Sequence, residues 1–285
     1  LWVVLVPALL LTAGWDALGR ALGGTGGYAG EFFSAQSSGP SPGSPANHTW
    51  TAALGNFFFL QTIATDVFGS NGPLWSLANE FWYYVLFPLA VWAVKGTGFR
   101  AVSLGLLAAL LWFLPGALVQ AGAIWLLGVA AYLLLRHAPM AARLNRHSVA
   151  AGLVVLLLIS LAGHVAHRWY GADGFIGLWF ALLLPWIVRR PAWGGRWAAL
   201  AQTSGDLSYT LYLTHFPFLA FLLWSGGTPL RLQPDAAGLA IFLALGLATL
   251  VYAVAVWWLF ERNTDVLRNR LETWLLTSNV PSPSA

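Results

Sequence analysis

Charge is what this 285-residue chain has least of: charged residues make up 8% of it, against about 25% in soluble proteins. A water-facing surface cannot be assembled from so few, so a soluble enzyme, a disordered tail and a nucleic-acid binder are all excluded. Cysteine is absent, which excludes disulfides and thiolate chemistry. No His, Asp or Glu cluster has metal-ligand spacing, so no metal site is expected. Methionine occurs once, at Met140, and position 1 is Leu. The expectation is therefore a processed chain or a piece of a longer reading frame.

What fills the chain is apolar. Hydrophobic residues account for 58%, Trp occurs 17 times and the mean hydropathy is +0.69, so most of the surface must face lipid or other helices. Eight nearly uncharged stretches recur, approximately 1–18, 73–94, 101–114, 118–135, 148–163, 174–188, 207–224 and 236–260. Each approaches the helix length that crosses a hydrocarbon core about 30 Å thick. The third and fourth are divided at Pro115-Gly116, a helix-breaking pair. The expected fold is all-α, a polytopic integral membrane helical bundle of about eight transmembrane helices, forming one membrane-embedded domain over 1–285.

Lys and Arg accumulate on the cytoplasmic side of membranes. With the first span running outward, the inner loops hold Lys95, Arg100, Arg136, Arg143, Arg146, Arg189, Arg190, Arg196, Arg262, Arg268 and Arg270, and the outer side holds Arg20, Arg168 and Arg231. Eleven against three supports eight crossings with both ends of the chain cytoplasmic, and it explains the net charge of +4 and the pI near 9.7 without an acidic partner. The stretch 19–55, rich in Gly, Ser and Pro, reads as a flexible outer loop with no core of its own. It contains the weak Asn47-His48-Thr49 sequon. Phe57 to Phe68 is too short to span and reads as an interfacial or re-entrant segment. Residues 278–285 read as a disordered tail.

A bilayer penalises ionisable groups, so those inside apolar runs are functional candidates. In Asn71 to Leu89, Ser76, Asn79, Glu80 and Tyr83 fall at helical spacings of three and four, with Trp75, Trp82 and Tyr84 as an aromatic belt. In Gly205 to Phe218, Ser208, Tyr209, Tyr212 and His215 share a broad helix face, and Pro217 frees backbone carbonyls just beyond the histidine. Both Glu80 and His215 have a structural alternative, as hydrogen-bonding ties between helices. The remaining histidines carry less: His137 and His147 fall in a basic inner loop, His48 in the outer loop, and His164 and His167 at an outer edge.

Together, WSLANEFWYYVLFP at 75–88 and LSYTLYLTHFP at 207–217 resemble the two signature segments of the membrane-bound acyltransferase 3 family. The first is carried by Trp75, Ser76, Leu77, Glu80, Tyr83, Tyr84 and Pro88. The second is carried by Ser208, Tyr209, Tyr212, Leu213, His215 and Pro217. Gly55 to Gln61 also resembles the stretch before the first signature, whereas Glu261-Arg262-Asn263 matches the usual Glu-then-Pro ending only in part. The resemblance implies about ten spans, two of them ahead of Leu1, and an Arg and a catalytic-base His in the first. Neither of those two residues is in this sequence, so the catalytic residue is left unknown and the piece alone is expected to be inactive.

The resemblance further implies transfer of an acyl group, acetyl above all, from acyl-CoA as donor substrate to a hydroxyl of a cell-envelope or exported glycan, in a bacterial cytoplasmic membrane. No bound cofactor is expected. Trp75, Ser76, Glu80, Tyr209, Tyr212 and His215 are the expected cavity and substrate-binding residues, and Arg136, Arg143 and Arg189 are candidates to meet CoA phosphates or else only set topology. The rival class is a transporter or flippase that uses Glu80 and His215 for proton or substrate coupling.

Overall fold

The computed structural model describes residues 1–31, 39–96, 98–137, 143, 146–165, 172–189, 194–227 and 232–278, with the side chains at 271 and 274–278 left out. Met140, His167, Arg168, Arg190, Arg231 and the tail beyond position 278 lie outside the described residues, as do positions 32–38 of the expected outer loop.

Among the described residues the chain is helical, with no β-strand beyond isolated bridges. The helices are α1 (Trp2–Ala21), α2 (Thr25–Ala29), α3 (Trp50–Phe57), α4 (Leu74–Lys95), α5 (Arg100–Phe113), α6 (Gly116–Arg136), α7 (His147–Val165), α8 (Ala172–Val188), α9 (Gly195–Trp224), α10 (Ala236–Leu259) and α11 (Thr264–Ser278). Every apolar run of the sequence is a helix. Six are long and apolar enough to cross a membrane, while α5 and α8 are apolar but shorter. The fold is an all-α polytopic membrane bundle. Its outward surfaces suit lipid: Leu104, Trp112, Val155, Leu158, Phe242, Leu247 and Val251 are all exposed, in apolar patches larger than a water-facing monomer shows.

Helix boundaries follow local chemistry. Between α5 and α6, Leu114 is extended (φ −77°, ψ 142°), as the residue before a proline must be, and Pro115 caps α6. The expected start of the seventh span at Leu207 is too late, because α9 runs from Gly195. The apolar run begins at Leu207, but the Ala, Arg and Gln residues before it favour helix and carry α9 back to Gly195. The Phe57 to Phe68 segment is mostly non-helical beyond Phe57, and folds into turns.

Two compact units are present, Leu1–Ala78 with Ala199–Ala285, and Asn79–Ala198. In the first, Trp15 of α1 packs edge-on against Phe218 of α9 at 5.1 Å and donates to the Tyr252 hydroxyl of α10 at 3.0 Å. Phe218 and Tyr252 stack at 4.3 Å. Tyr28, from the region expected to have no core of its own, is buried against Ala220 and Trp224. Gly27 beside it has no room for a Cβ, which would run into the Trp224 indole. In the second unit, Tyr83 of α4 donates to the Leu118 carbonyl of α6 at 2.7 Å. There α7 and α8 close on Ala150, Leu153 and Leu183, with Trp179 donating to Ser160.

Candidate functional site

The site begins with a missing hydrogen. Pro217 inside α9 has no N–H, so the carbonyl four residues earlier, that of Leu213, loses its helical partner. The Asn71 side chain takes it, donating to Leu213 O at 2.8 Å and facing Thr12 Oγ1 at 3.2 Å. Asn71, Thr12 and Leu213 are fully buried. That pairing fixes the start of α4 against α9 and brings the two signature segments together. Ser76 Oγ lies 2.5 Å from Tyr212 Oη, and both hydroxyls also reach the Pro73 carbonyl, at 3.3 and 3.0 Å.

His215 stands one turn beyond Tyr212, with ring centroids 6.1 Å apart. Its Nδ1 faces two carbonyls, Leu211 O at 3.0 Å and Tyr212 O at 2.9 Å. A carbonyl only accepts, so Nδ1 carries the proton and Nε2 of the neutral ring keeps its lone pair. The freed-carbonyl expectation for Pro217 thus holds. Trp75 is 49% exposed and, with Gly72, walls a polar cavity.

The other expected residues have hydrogen-bond partners of their own. Tyr209 donates to Leu1 O at 3.3 Å, and Ser208 turns back to Gly205 O. Glu80, in the second unit, accepts from Tyr84 at 2.6 Å. Arg189 reaches Leu135 O at 3.5 Å, which brings it to the end of α6 that carries Arg136, itself against the Tyr132 hydroxyl and ring. Arg143 accepts from Arg146 N through its carbonyl at 3.4 Å, and its side chain has no partner among the described residues.

Asp16 is the residue that reading the sequence missed. It sits in α1 with no exposed surface, and accepts from Ser70 N at 2.7 Å, Ser70 Oγ at 2.6 Å and His48 Nε2 at 2.7 Å. His48 Nδ1 faces Arg20 at 3.1 Å, so the guanidinium donates to Nδ1 and the imidazole proton is on Nε2, toward the carboxylate. Gly69 (φ +60°) passes between them, and a Cβ there would press on Asp16, Thr12 and His48. Only glycine fits both that conformation and that space. The signal was available, since a carboxylate inside the apolar run 1–18 obeys the same rule that singled out Glu80. His48 was assigned to a loop and so found no partner on the page.

Tyr28 extends the cluster. Arg20 lies over its ring at 5.4 Å. Burial pushes its phenol pKa above the usual value, and the Asp16 charge raises it further against the opposing pull of Arg20. Thr210 of α9 donates to Glu261, just beyond α10, so the Glu of the partly matched ending is tied to the second signature segment.

An all-α membrane protein with buried polar clusters joining its sequence motifs defines the class. The family is given by sequence: residues 1–261 match the acyltransferase domain family, Acyl_transf_3. The chain belongs to that family and is a membrane acyltransferase. No curated protein and no solved structure matches it.

Proposed function

We propose that the protein moves an acyl group, acetyl from acetyl-CoA, onto a hydroxyl of a cell-envelope or exported glycan. The observation that carries this is the meeting of the two signature segments at Ser76 and Tyr212 within a chain matched over 1–261. Acyl transfer to an alcohol needs a base for the acceptor hydroxyl and donors for the oxyanion that forms at the thioester carbonyl. The paired hydroxyls of Ser76 and Tyr212 are of the donor kind. His215 Nε2 and the Glu80 carboxylate are groups that take protons, while Trp75 walls the polar cavity. Arg136 and Arg189, gathered at one end of the second unit, suit CoA phosphates.

In this reading the helix ends bearing Lys95, Arg100, Arg136, Arg189 and Arg262 face the cytoplasm of a bacterial inner membrane. The donor then meets the cytoplasmic Arg side chains of the second unit, and the acceptor approaches from outside. The test is transfer of label from radiolabelled acetyl-CoA to the glycan fraction of membranes expressing the full reading frame. Label above that of membranes lacking the gene is expected. Uptake of a solute without any labelled product would transfer the assignment to the carrier class.

A further inference from the structure

Between α3 and α4 the backbone is held in a conformation that side chains avoid. Phe59 (φ 58°) and Thr62 (φ 63°) both lie in the left-handed region, and for a β-branched residue such as Thr62 that is a true outlier. The amides of Ile63, Ala64 and Thr65 all converge on the Leu60 carbonyl, and Thr62 N donates to Thr65 O at 2.8 Å. Phe59 and Gln61 are fully buried beneath, with Gln61 anchored on Leu74 O at the start of α4. Strain that the surroundings hold in place this firmly concentrates at ligand sites.

Two cavities open on either side of this turn, of about 360 and 500 Å³, and both are lined by Thr62, Thr65 and Asp66. The first adds Ser44 and Trp75, the second Asn47 and Thr51. Among the described residues no Lys, Arg or His lines either, which disfavours an anionic ligand. The one charge, Asp66, is partly engaged by Asn47 Nδ2 at 2.9 Å. Thr65 Oγ1 is buried against Gly55 of α3, with no hydrogen-bond partner among the described residues. Hydroxyls, one amide and one carboxylate match groups that both donate and accept, and the exposed Trp75 ring suits the C–H face of a saturated ring.

We propose that the Thr62–Asp66 turn, with Trp75 on one side and Asn47 on the other, is a two-part seat for a neutral hydroxyl-bearing ring, a sugar unit. Its assignment as the seat of the acyl acceptor rests on the acyl-transfer reading, because Trp75 precedes Ser76 in the chain; sugar binding itself does not depend on that reading. Two cavities sharing one wall can hold successive rings of a chain, and each volume falls within the range of about 300–1,000 Å³ usual for ligand sites.

The test is saturation-transfer NMR on the full reading frame in lipid nanodiscs, since maltoside detergents carry the very group sought. The probes are methyl β-glucoside, methyl β-galactoside and N-acetylglucosamine, with ethanolamine and methyl phosphate as charged comparators. Saturation of the sugar ring protons is expected. Asp66→Asn and Trp75→Leu should each weaken binding about tenfold, the loss of roughly 1.4 kcal/mol that such contacts carry. Thr65→Val is the near-isosteric variant, and size exclusion with circular dichroism establishes that each variant folds. No neutral sugar signal, a signal indifferent to all three folded variants, or saturation confined to ethanolamine or methyl phosphate overturns the proposal. Variant-sensitive sugar binding in a protein that transfers no acyl group would leave the seat standing and remove the acyl-transfer reading instead.

Discussion

Replacing Asp16 separates a carboxylate that holds the fold from one that merely sits in it. Its two oxygens receive three hydrogen bonds, from Ser70 N, Ser70 Oγ and His48, and the side chain is wholly buried. In Asp16→Asn the amide oxygen can keep the Oδ2 contacts to Ser70 N and His48, and the Ser70 hydroxyl can rotate to accept from the new amide. The cost is then mainly the lost charge, about 1–2 kcal/mol. In Asp16→Leu the branched outline is kept, with two bulkier methyl groups in place of the oxygens, but Ser70 N–H, its hydroxyl and the imidazole lose their acceptor together, and about 3–5 kcal/mol is expected. The assay is loss of folded protein against rising SDS in mixed micelles, with an Asp16→Leu/His48→Ala cycle to isolate the pair. A coupling of about 1–3 kcal/mol is expected for groups in direct contact. If Asp16→Leu falls within about 1 kcal/mol of wild type or stabilises the protein, as an apolar residue in an idle membrane position would, the reasoning is refuted.

Ser76→Ala and Tyr212→Phe should each lower acyl transfer about tenfold or more, and the double variant should be little worse than either alone, because the two hydroxyls act as one pair; additive losses would count against a shared role. In the full reading frame Glu80→Gln and His215→Gln should each reduce transfer at least about tenfold with unchanged membrane insertion, and normal rates in both would return them to helix-tying hydrogen bonds. Tyr28 keeps its phenol neutral above the usual range, so its contribution to stability is complete below pH about 10 and is lost as pH rises through the raised folded value. Unfolding scans should show Tyr28→Phe flattening that alkaline decline, and an unchanged slope would exclude it. Single cysteines placed at Ser44 and Arg143 in this Cys-free chain should label from outside and inside respectively, and labelling of both from one side would overturn the orientation.

The fold was legible because it is written in composition. Eight apolar runs became eight helices, since in lipid a helix is the one open-ended way to satisfy every backbone N–H and C=O within a segment. Ends were legible wherever a residue acts on its own backbone, as Pro115 does in ending α5 through its effect on Leu114. They were missed where a helix outruns its apolar run, as α9 does by starting at Gly195 rather than Leu207. For the loop after α1 the sequence showed only Gly, Ser and Pro. The burial of Tyr28 depends on Trp224, almost two hundred residues away in the chain, and no spacing rule spans that distance.

The site divides along the same line. Ser76, Tyr212 and His215 could be selected one by one, because each sits at helical spacing in an apolar run. Their juxtaposition could not, since it turns on which group would claim the carbonyl that Pro217 releases. That group is Asn71, a residue preceding α4, where a polar side chain looks like loop chemistry. Asp16 and His48 were hidden in the same way, one taken as part of a span and the other as part of a loop. A buried polar group is paid for by its partner, so the sequence can show that a membrane carboxylate needs one, and only the fold shows which residue answers. Glu80 sharpens the point. Its recorded hydrogen bond, from Tyr84 four residues on, is within its own helix. Such a local pair costs no long-range ordering, and His215 likewise faces carbonyls of its own helix, so among the described residues neither hydrogen bond runs between helices. Under the proposed acyl transfer that local pairing leaves both groups accessible as proton acceptors, and the Glu80→Gln and His215→Gln rates decide between that role and a structural one.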